Sequence, residues 1–135
     1  MGFRVAIVGA TGNVGREVLA ILAERNFPAD DVVALASEKS ADRKVSFGED
    51  DTLTVRDLAK FDFKGIDLVL SSPGAKVSAE YSPKAAAAGC VVIDNTSHFR
   101  MDPDVPLVVP EVNPEAIAGA LTSGTTSGTS GSMRQ

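Results

Sequence analysis

The run Gly9-Ala10-Thr11-Gly12-Asn13-Val14-Gly15 carries the clearest chemistry in this sequence. Glycines at that spacing, set between an apolar stretch and a helical pattern, let a chain bring backbone amides against a pyrophosphate. Gly9 permits a tight turn, Gly12 leaves out a side chain where phosphates must approach, and Gly15 lets the following helix lie close on a sheet. The helix N-terminus then turns its free N–H groups and the positive end of its dipole toward the anion. The spacing is G-x-x-G-x-x-G rather than G-x-G-x-x-G, so the flanking strand and helix specify the motif as much as its letters do.

A second group of residues bears on which dinucleotide such a loop would hold. The next apolar run ends at Ala36-Ser37, where a carboxylate commonly binds the ribose hydroxyls of NAD and would repel a 2′-phosphate. Ser37 stands there instead, and Lys39, Arg43 and Lys44 follow, cations suited to the extra phosphate of NADP. Glu38, turned inward, would restore a preference for NAD, and the same cations read equally as solvated loop charges.

A third group is Asp94-Asn95-Thr96-Ser97-His98-Phe99-Arg100-Met101, beyond another apolar run. The Arg100 fork suits a phosphate or carboxylate, or else a surface ion pair. Cys90 and His98 are the only cysteine and histidine, so neither a disulfide nor a zinc site is expected. Cys90 opens an apolar run, where a cysteine is an inert small residue with its thiol pKa raised by burial. No catalytic residue is assigned.

The elements that must position these groups follow from the apolar pattern. Phe3 to Val8, Val32 to Ala36, Asp67 to Leu70, Cys90 to Ile93 and Leu107 to Val109 read as short strands buried on both faces, as in a parallel sheet. Val14, Val18, Leu19, Ile21 and Leu22 recur at helical spacing, with Arg16, Glu17, Glu24 and Arg25 opposite. Val45-Ser46-Phe47 and Leu53-Thr54-Val55 flank an acidic turn as a small hairpin. A helical region follows Ser71-Ser72-Pro73-Gly74, with Ser82 as an N-cap, Pro83 at the first helical position and Gly89 as the stop. The expected fold is α/β: a Rossmann-like, doubly wound, mostly parallel sheet with helices on both faces.

Bulk properties limit the alternatives. The 135 residues, 44% of them hydrophobic, suit one domain with a real core. A net charge of −5 without a basic block argues against nucleic acid or an anionic membrane as partner. No apolar run approaches a membrane span and no secretory signal pattern opens the chain, so a cytoplasmic location is expected. The segment Thr122 to Ser132 has no apolar residue. Residues 1–121 therefore read as the folded domain and 122–135 as a Gly/Ser/Thr linker and tail, introduced at an engineered junction where a longer protein was cut.

Four motifs, in order, resemble one family. Val8 to Gly15, the run Val33-Ala34-Leu35-Ala36-Ser37, the segment Val91 to Ser97 with Phe99-Arg100-Met101, and Val108-Val109-Pro110-Glu111-Val112-Asn113 are similar to the N-terminal half of bacterial aspartate-semialdehyde dehydrogenase. The resemblance spans residues 2 to 120. It implies NADP(H) as the dinucleotide partner and, for the parent enzymes, reductive dephosphorylation of aspartyl phosphate on the route to lysine, methionine and threonine. By motif, Gly9, Thr11, Gly12, Asn13, Val14 and Gly15 would form the phosphate loop. Ser37, Lys39 and Ser40 would lie near the 2′-phosphate, and Ser71 and Gly74 near the cofactor. Arg100 would bind the substrate phosphate, with Asn95 beside it. The family's thioester-forming cysteine, in an Asn-Cys-x-Thr motif, and its acid/base histidine have no counterpart in this sequence, nor has the half that makes the family dimeric. The chain alone is therefore expected to bind the dinucleotide without turning over. The alternative is an engineered scaffold whose nucleotide binding is incidental.

Overall fold

The computed structural model describes residues 2–103, 105–108, 111, 112, 114, 115 and 132–134. Strand β1 (Phe3–Val8) runs through the glycine turn into helix α1 (Asn13–Glu24), which returns to β2 (Ala29–Ala36). A 3-10 turn at Glu38–Ser40 leads to the hairpin β3 (Lys44–Phe47) and β4 (Asp51–Thr54), then to the two-residue β5 (Arg56–Asp57). After β6 (Leu68–Ser71) come α2 (Ala75–Ala87), β7 (Val91–Asp94) and β8 (Ser132–Arg134).

Six strands form one sheet in the order β5-β2-β1-β6-β7-β8, every adjacent pair parallel, and β3-β4 stands apart as an antiparallel pair. The order reverses at β1, whose neighbours are β2 on one side and β6 on the other. The crevice for a ligand therefore opens at the C-terminal ends of β1 and β6.

Alternation along β1 divides the core in two. Val5 and Ile7 face the α1 side, where they pack with Leu19, Ala34 and Ala36. Ala6 and Val8 face the α2 side with Val33, Leu35, Val69, Val92 and Ala85. The two crossover helices thus lie on opposite faces, as right-handed connections running in opposite directions from β1 require. Val5, Ala6 and Ile7 are wholly buried, and each large apolar side chain among these contributes about 1.5–3 kcal/mol. Such a strand has no solvent face, which is why its sequence is a continuous apolar run.

Three expectations need correction. Helix α2 begins at Ala75, well before Ser82, and continues through Pro83. Ser82 is no N-cap: its hydroxyl lies inside the protein against Ser78 and Asp94, and the helix runs on through Pro83 without that residue's N–H. Gly89 does end the helix region, with φ +96, and its amide and that of Cys90 turn back to Ala86 and Ala85. The run Leu107 to Val109 is not a strand in its described part: Leu107 makes a single bridge and Val108 none, while Val109 lies outside the described residues. The place beyond β7 is taken by Ser132–Arg134, paired as Val92↔Ser132, Ile93↔Met133 and Asp94↔Arg134. Ser132–Arg134, within the expected tail, thus joins the sheet. The rest of the expected linker, 122–131, lies outside the described residues.

Candidate functional site

The path of the glycine turn is set by backbone hydrogen bonds. Gly9 has φ +84, and its amide and that of Ala10 both donate to the carbonyl of Leu35, while the Gly12 amide donates to the Gly9 carbonyl. A side chain at Gly9 would meet the Ser72 carbonyl at 2.8 Å, and one at Gly15 would strike the Gly9 carbonyl and come within 2.8 Å of the Ala10 Cα. Gly12 differs: a Cβ there would have only the Gly9 carbonyl nearby, at 3.5 Å. The first and third glycines are needed for packing, and the middle one faces open space.

Helix α1 starts after Gly12 with no side-chain cap, and its first internal bond runs from the Arg16 amide to the Gly12 carbonyl. The amides of Asn13, Val14 and Gly15 therefore have no acceptor within the helix. Free N–H groups at a helix N-terminus are suited to an anion.

Three cavities surround this loop. The first, of about 530 Å³, lies between the glycine turn (Gly9, Thr11, Gly12), the end of β2 (Ser37, Glu38), and Ser72 with Tyr81 across the crevice. Its other acids are occupied: Asp57 accepts from the Ala59 amide at 3.0 Å, and Glu80 lies 3.7 Å from the Lys84 ammonium. The Ser72 hydroxyl is buried with no partner among the described residues, so a polar atom beside this cavity has its hydrogen-bonding capacity unused. A second cavity, of about 610 Å³, gathers Asn13, Val14, Ser71 and Asn95. A third, of about 760 Å³, lies between α1 and the β3–β4 hairpin and includes Thr11, Arg16, Arg43 and Lys44.

The structure thus brings Gly9, Thr11, Gly12 and Ser37 round one space and Asn13, Val14, Ser71 and Asn95 round another. Gly15 is buried packing. Lys39 and Ser40, in the 3-10 turn, and Gly74, with φ +97 before α2, line none of the three. Glu38 does line the first cavity, while Arg43 and Lys44 line the third. Arg16, which the helical pattern puts on the solvent side, lies against the glycine turn. Its Nε donates to the Thr11 carbonyl at 3.1 Å, a tie that side-chain periodicity cannot reveal.

Asn95 is fixed by its amide, which donates to the Ser71 carbonyl at 2.8 Å. Arg100 is exposed and its Nη2 reaches the Asn95 carbonyl at 3.4 Å. Under this turn, Asp94 is fully buried and accepts from the Thr96 amide at 2.7 Å and from Ser78. Cys90 lies 2% exposed before β7, its Sγ 3.5 Å from the Phe63 carbonyl. Burial, with a smaller push from the Asp67 carboxylate, raises its thiol from 9.0 to about 11.

The family profile described as semialdehyde dehydrogenase, NAD binding domain, matches residues 4–120. The aspartate-semialdehyde dehydrogenase of Legionella pneumophila is 58% identical over 106 residues, covering 78% of this chain and 30% of that protein. That of Aquifex aeolicus is 58% identical over 112 residues, covering 82% and 33%. The chain thus spans about a third of the length of these relatives. Among solved structures, aspartate semialdehyde dehydrogenase II of Vibrio cholerae, complexed with ASA, superposes with a TM-score of 0.89 at 46% identity, over 99% of this chain and 41% of that one. The Candida albicans enzyme, crystallised with NADP, gives 0.71 at 26% identity, over 99% and 42%.

Proposed function

This chain belongs to the NAD-binding domain family of semialdehyde dehydrogenases, and we propose that it holds NADP(H), in preference to NAD(H), across the C-terminal ends of β1 and β6. It is a nucleotide-binding domain similar to that of aspartate-semialdehyde dehydrogenases and covers part of such a protein. The observation that carries the reading is the open face at Gly12: three amides with no acceptor within the helix follow it, and a cavity is lined by it and by Ser37. The Ser72 hydroxyl, without a hydrogen-bond partner among the described residues, fits a polar ligand beside the same cavity.

The preference for a 2′-phosphate rests on Ser37 in place of a carboxylate and on cations nearby, with Lys39 and Ser40 on the adjoining turn. Glu38 opposes it. When bound, the nicotinamide supplies a hydride; the chain's own residues bind and orient it. Asn13 and Val14 would meet the phosphates, Ser71 and Gly74 would pass near the cofactor, and Arg100 with Asn95 would receive an anionic substrate group. In the full-length protein that group would be the phosphate of aspartyl phosphate. Residues 1–121 would serve as the binding domain, and pairing of two subunits would involve parts of the protein beyond it.

Titration of the chain with NADPH and NADH, followed by calorimetry, tests the proposal. Saturable binding with NADPH the tighter ligand supports it, and absence of saturable binding of either overturns it. The comparisons lend no support to the alternative of a scaffold with incidental binding.

A further inference from the structure

Asp94 and Arg100 are joined through one peptide group, that between Asn95 and Thr96. Its N–H end donates to the Asp94 Oδ1 at 2.7 Å, and its carbonyl end accepts from the Arg100 Nη2 at 3.4 Å. The peptide is trans, like the others in the described residues, so its N–H and C=O point in opposite directions from one rigid plane. Whatever fixes the direction of the N–H therefore fixes the side from which the guanidinium is braced. A carboxylate on the N–H also polarises the carbonyl at the other end and makes it the better acceptor.

Asp94 is itself held from behind. Its Oδ2 accepts from the Ser78 hydroxyl and lies 3.4 Å from that of Ser82, both on α2, and all three residues are buried. The Oδ1 bond to the amide two residues on closes an Asx turn, which bends the chain as it leaves β7. The Asn95 amide is pinned to the Ser71 carbonyl at 2.8 Å, so the two amides that flank the Asn95 side chain are both committed. Farther on, the His98 amide donates to the Thr96 Oγ1 at 3.4 Å and the Arg100 amide to the Ser97 carbonyl at 3.3 Å. Arg100 is exposed, yet it issues from a turn tied at each of these points. Asp94, Ser78 and Ser82 line none of the three cavities around the glycine loop, so an effect they have on a ligand passes through the turn.

We infer that Asp94, backed by Ser78 and Ser82, is a positioning residue for Arg100: by orienting the Asn95–Thr96 peptide it presents the guanidinium to the anionic group of the substrate. The inference rests on the reading of Arg100 as the receiver of that group. A free arginine loses rotamer freedom when it binds an anion, whereas a braced one has lost part of it on folding. The brace uses one Nη2 hydrogen of the five N–H donors that a guanidinium carries.

Inorganic phosphate is the probe, titrated into the isotope-labelled chain at constant ionic strength while the Arg100 Nε–Hε and Asn95 amide signals are followed by NMR. NADPH is titrated separately by calorimetry, and thermal melts confirm that each variant is folded. Arg100→Ala should abolish the saturable response of the Asn95 amide, which places the anion at the guanidinium. Asp94→Ala should weaken phosphate about fivefold, the worth of one net hydrogen bond, with NADPH nearly unchanged. Asp94→Asn, which keeps an acceptor for the Thr96 amide, should restore most of the affinity. Ser78→Ala, on α2, should give a smaller loss in the same direction, and it decides the matter where Asp94→Ala does not fold. Unchanged phosphate affinity in the folded Asp94 or Ser78 alanine variant overturns the inference. Equal weakening of phosphate and NADPH does so too, since that marks a general loss of structure. A parent chain without a saturable phosphate response, or one whose response survives Arg100→Ala, would remove the reading of Arg100 and the inference with it.

Discussion

The hydroxyl of Ser78, in the middle of α2, donates to the carboxyl group of Asp94 at the C-terminal end of β7, and both residues are fully buried. Ser82 lies one turn on, 3.1 Å from the Ser78 oxygen and 3.4 Å from the same Asp94 oxygen. The other Asp94 oxygen accepts from the Thr96 amide. The buried carboxyl group is thus met by hydroxyls and an amide, and the turn bearing Asn95 and Arg100 is anchored to helix α2.

Replacing Asp94 by Ala would leave the Thr96 amide without its acceptor and the Ser78 and Ser82 hydroxyls with only each other. Each buried orphan costs about 1–3 kcal/mol, so Asp94→Ala should lose about 3 kcal/mol or more in urea denaturation. Asp94→Asn, which keeps acceptor capacity, should lose less. Equal stability of Asp94→Ala and the parent chain would show that water enters and satisfies the site.

The glycine turn predicts a separation of stability from binding. Gly12 has φ −77 and an open Cβ direction, so Gly12→Ala should change stability by about 1 kcal/mol at most while weakening dinucleotide binding at least tenfold. Gly15→Ala sets a methyl group against backbone and should cost about 3 kcal/mol, an overpacking penalty. Thermal melts and cofactor titration of the two variants check the contrast; loss of stability in both would refute it.

The preference for NADP(H) should shrink as salt rises, because charges around an open cavity are screened over about 10 Å at 0.1 M. Glu38, which lines the cleft without an ion pair among the described residues, opposes a 2′-phosphate. Glu38→Gln should therefore tighten NADPH several-fold and leave NADH nearly unchanged. Tighter NADH binding by the parent chain would assign the selection to Glu38.

Cys90 should be chemically silent. Its thiol is raised to about 11 in the folded protein, so the native state holds its proton where the unfolded chain ionises. This contribution to stability is complete below about pH 9 and is lost as pH climbs toward 11. Alkylation at pH 8 should be slow until denaturant is added, and Cys90→Ala should cost about 1–2 kcal/mol without altering cofactor affinity. Covalent chemistry on an acyl phosphate needs a low-pKa thiolate and an acid/base partner. The chain alone should accordingly give no reduction of aspartyl phosphate; turnover that vanished in Cys90→Ser would contradict this.

The first βαβ unit was legible because local signals agree there: a strand buried on both faces, three glycines and an amphipathic helix. Gly89 was legible for a similar reason, since a helix stop needs a residue at ease with positive φ. The start of α2 was not, because Ser82-Pro83 has the letters of a cap while Asp94, distant in sequence, claims the serine side chain. Strand β8 has no apolar signature: Ser132–Arg134 is recruited at the sheet edge through backbone pairing with β7. Ser37 and Thr11 could be placed by motif. Arg16 could not, since its tie to the Thr11 carbonyl is visible only in three dimensions.

Gly9 and Ser72 stand back to back, with no room for a methyl group between the turn that ends β1 and the one that ends β6. No compressible side chain separates these two loops, so neither can shift without displacing the other. A side chain added at Gly9 would press on Ser72 and on the Pro73 Cα together, at 2.8 and 3.0 Å, so the first glycine sets the spacing between the turn that ends β1 and the segment that leads into α2.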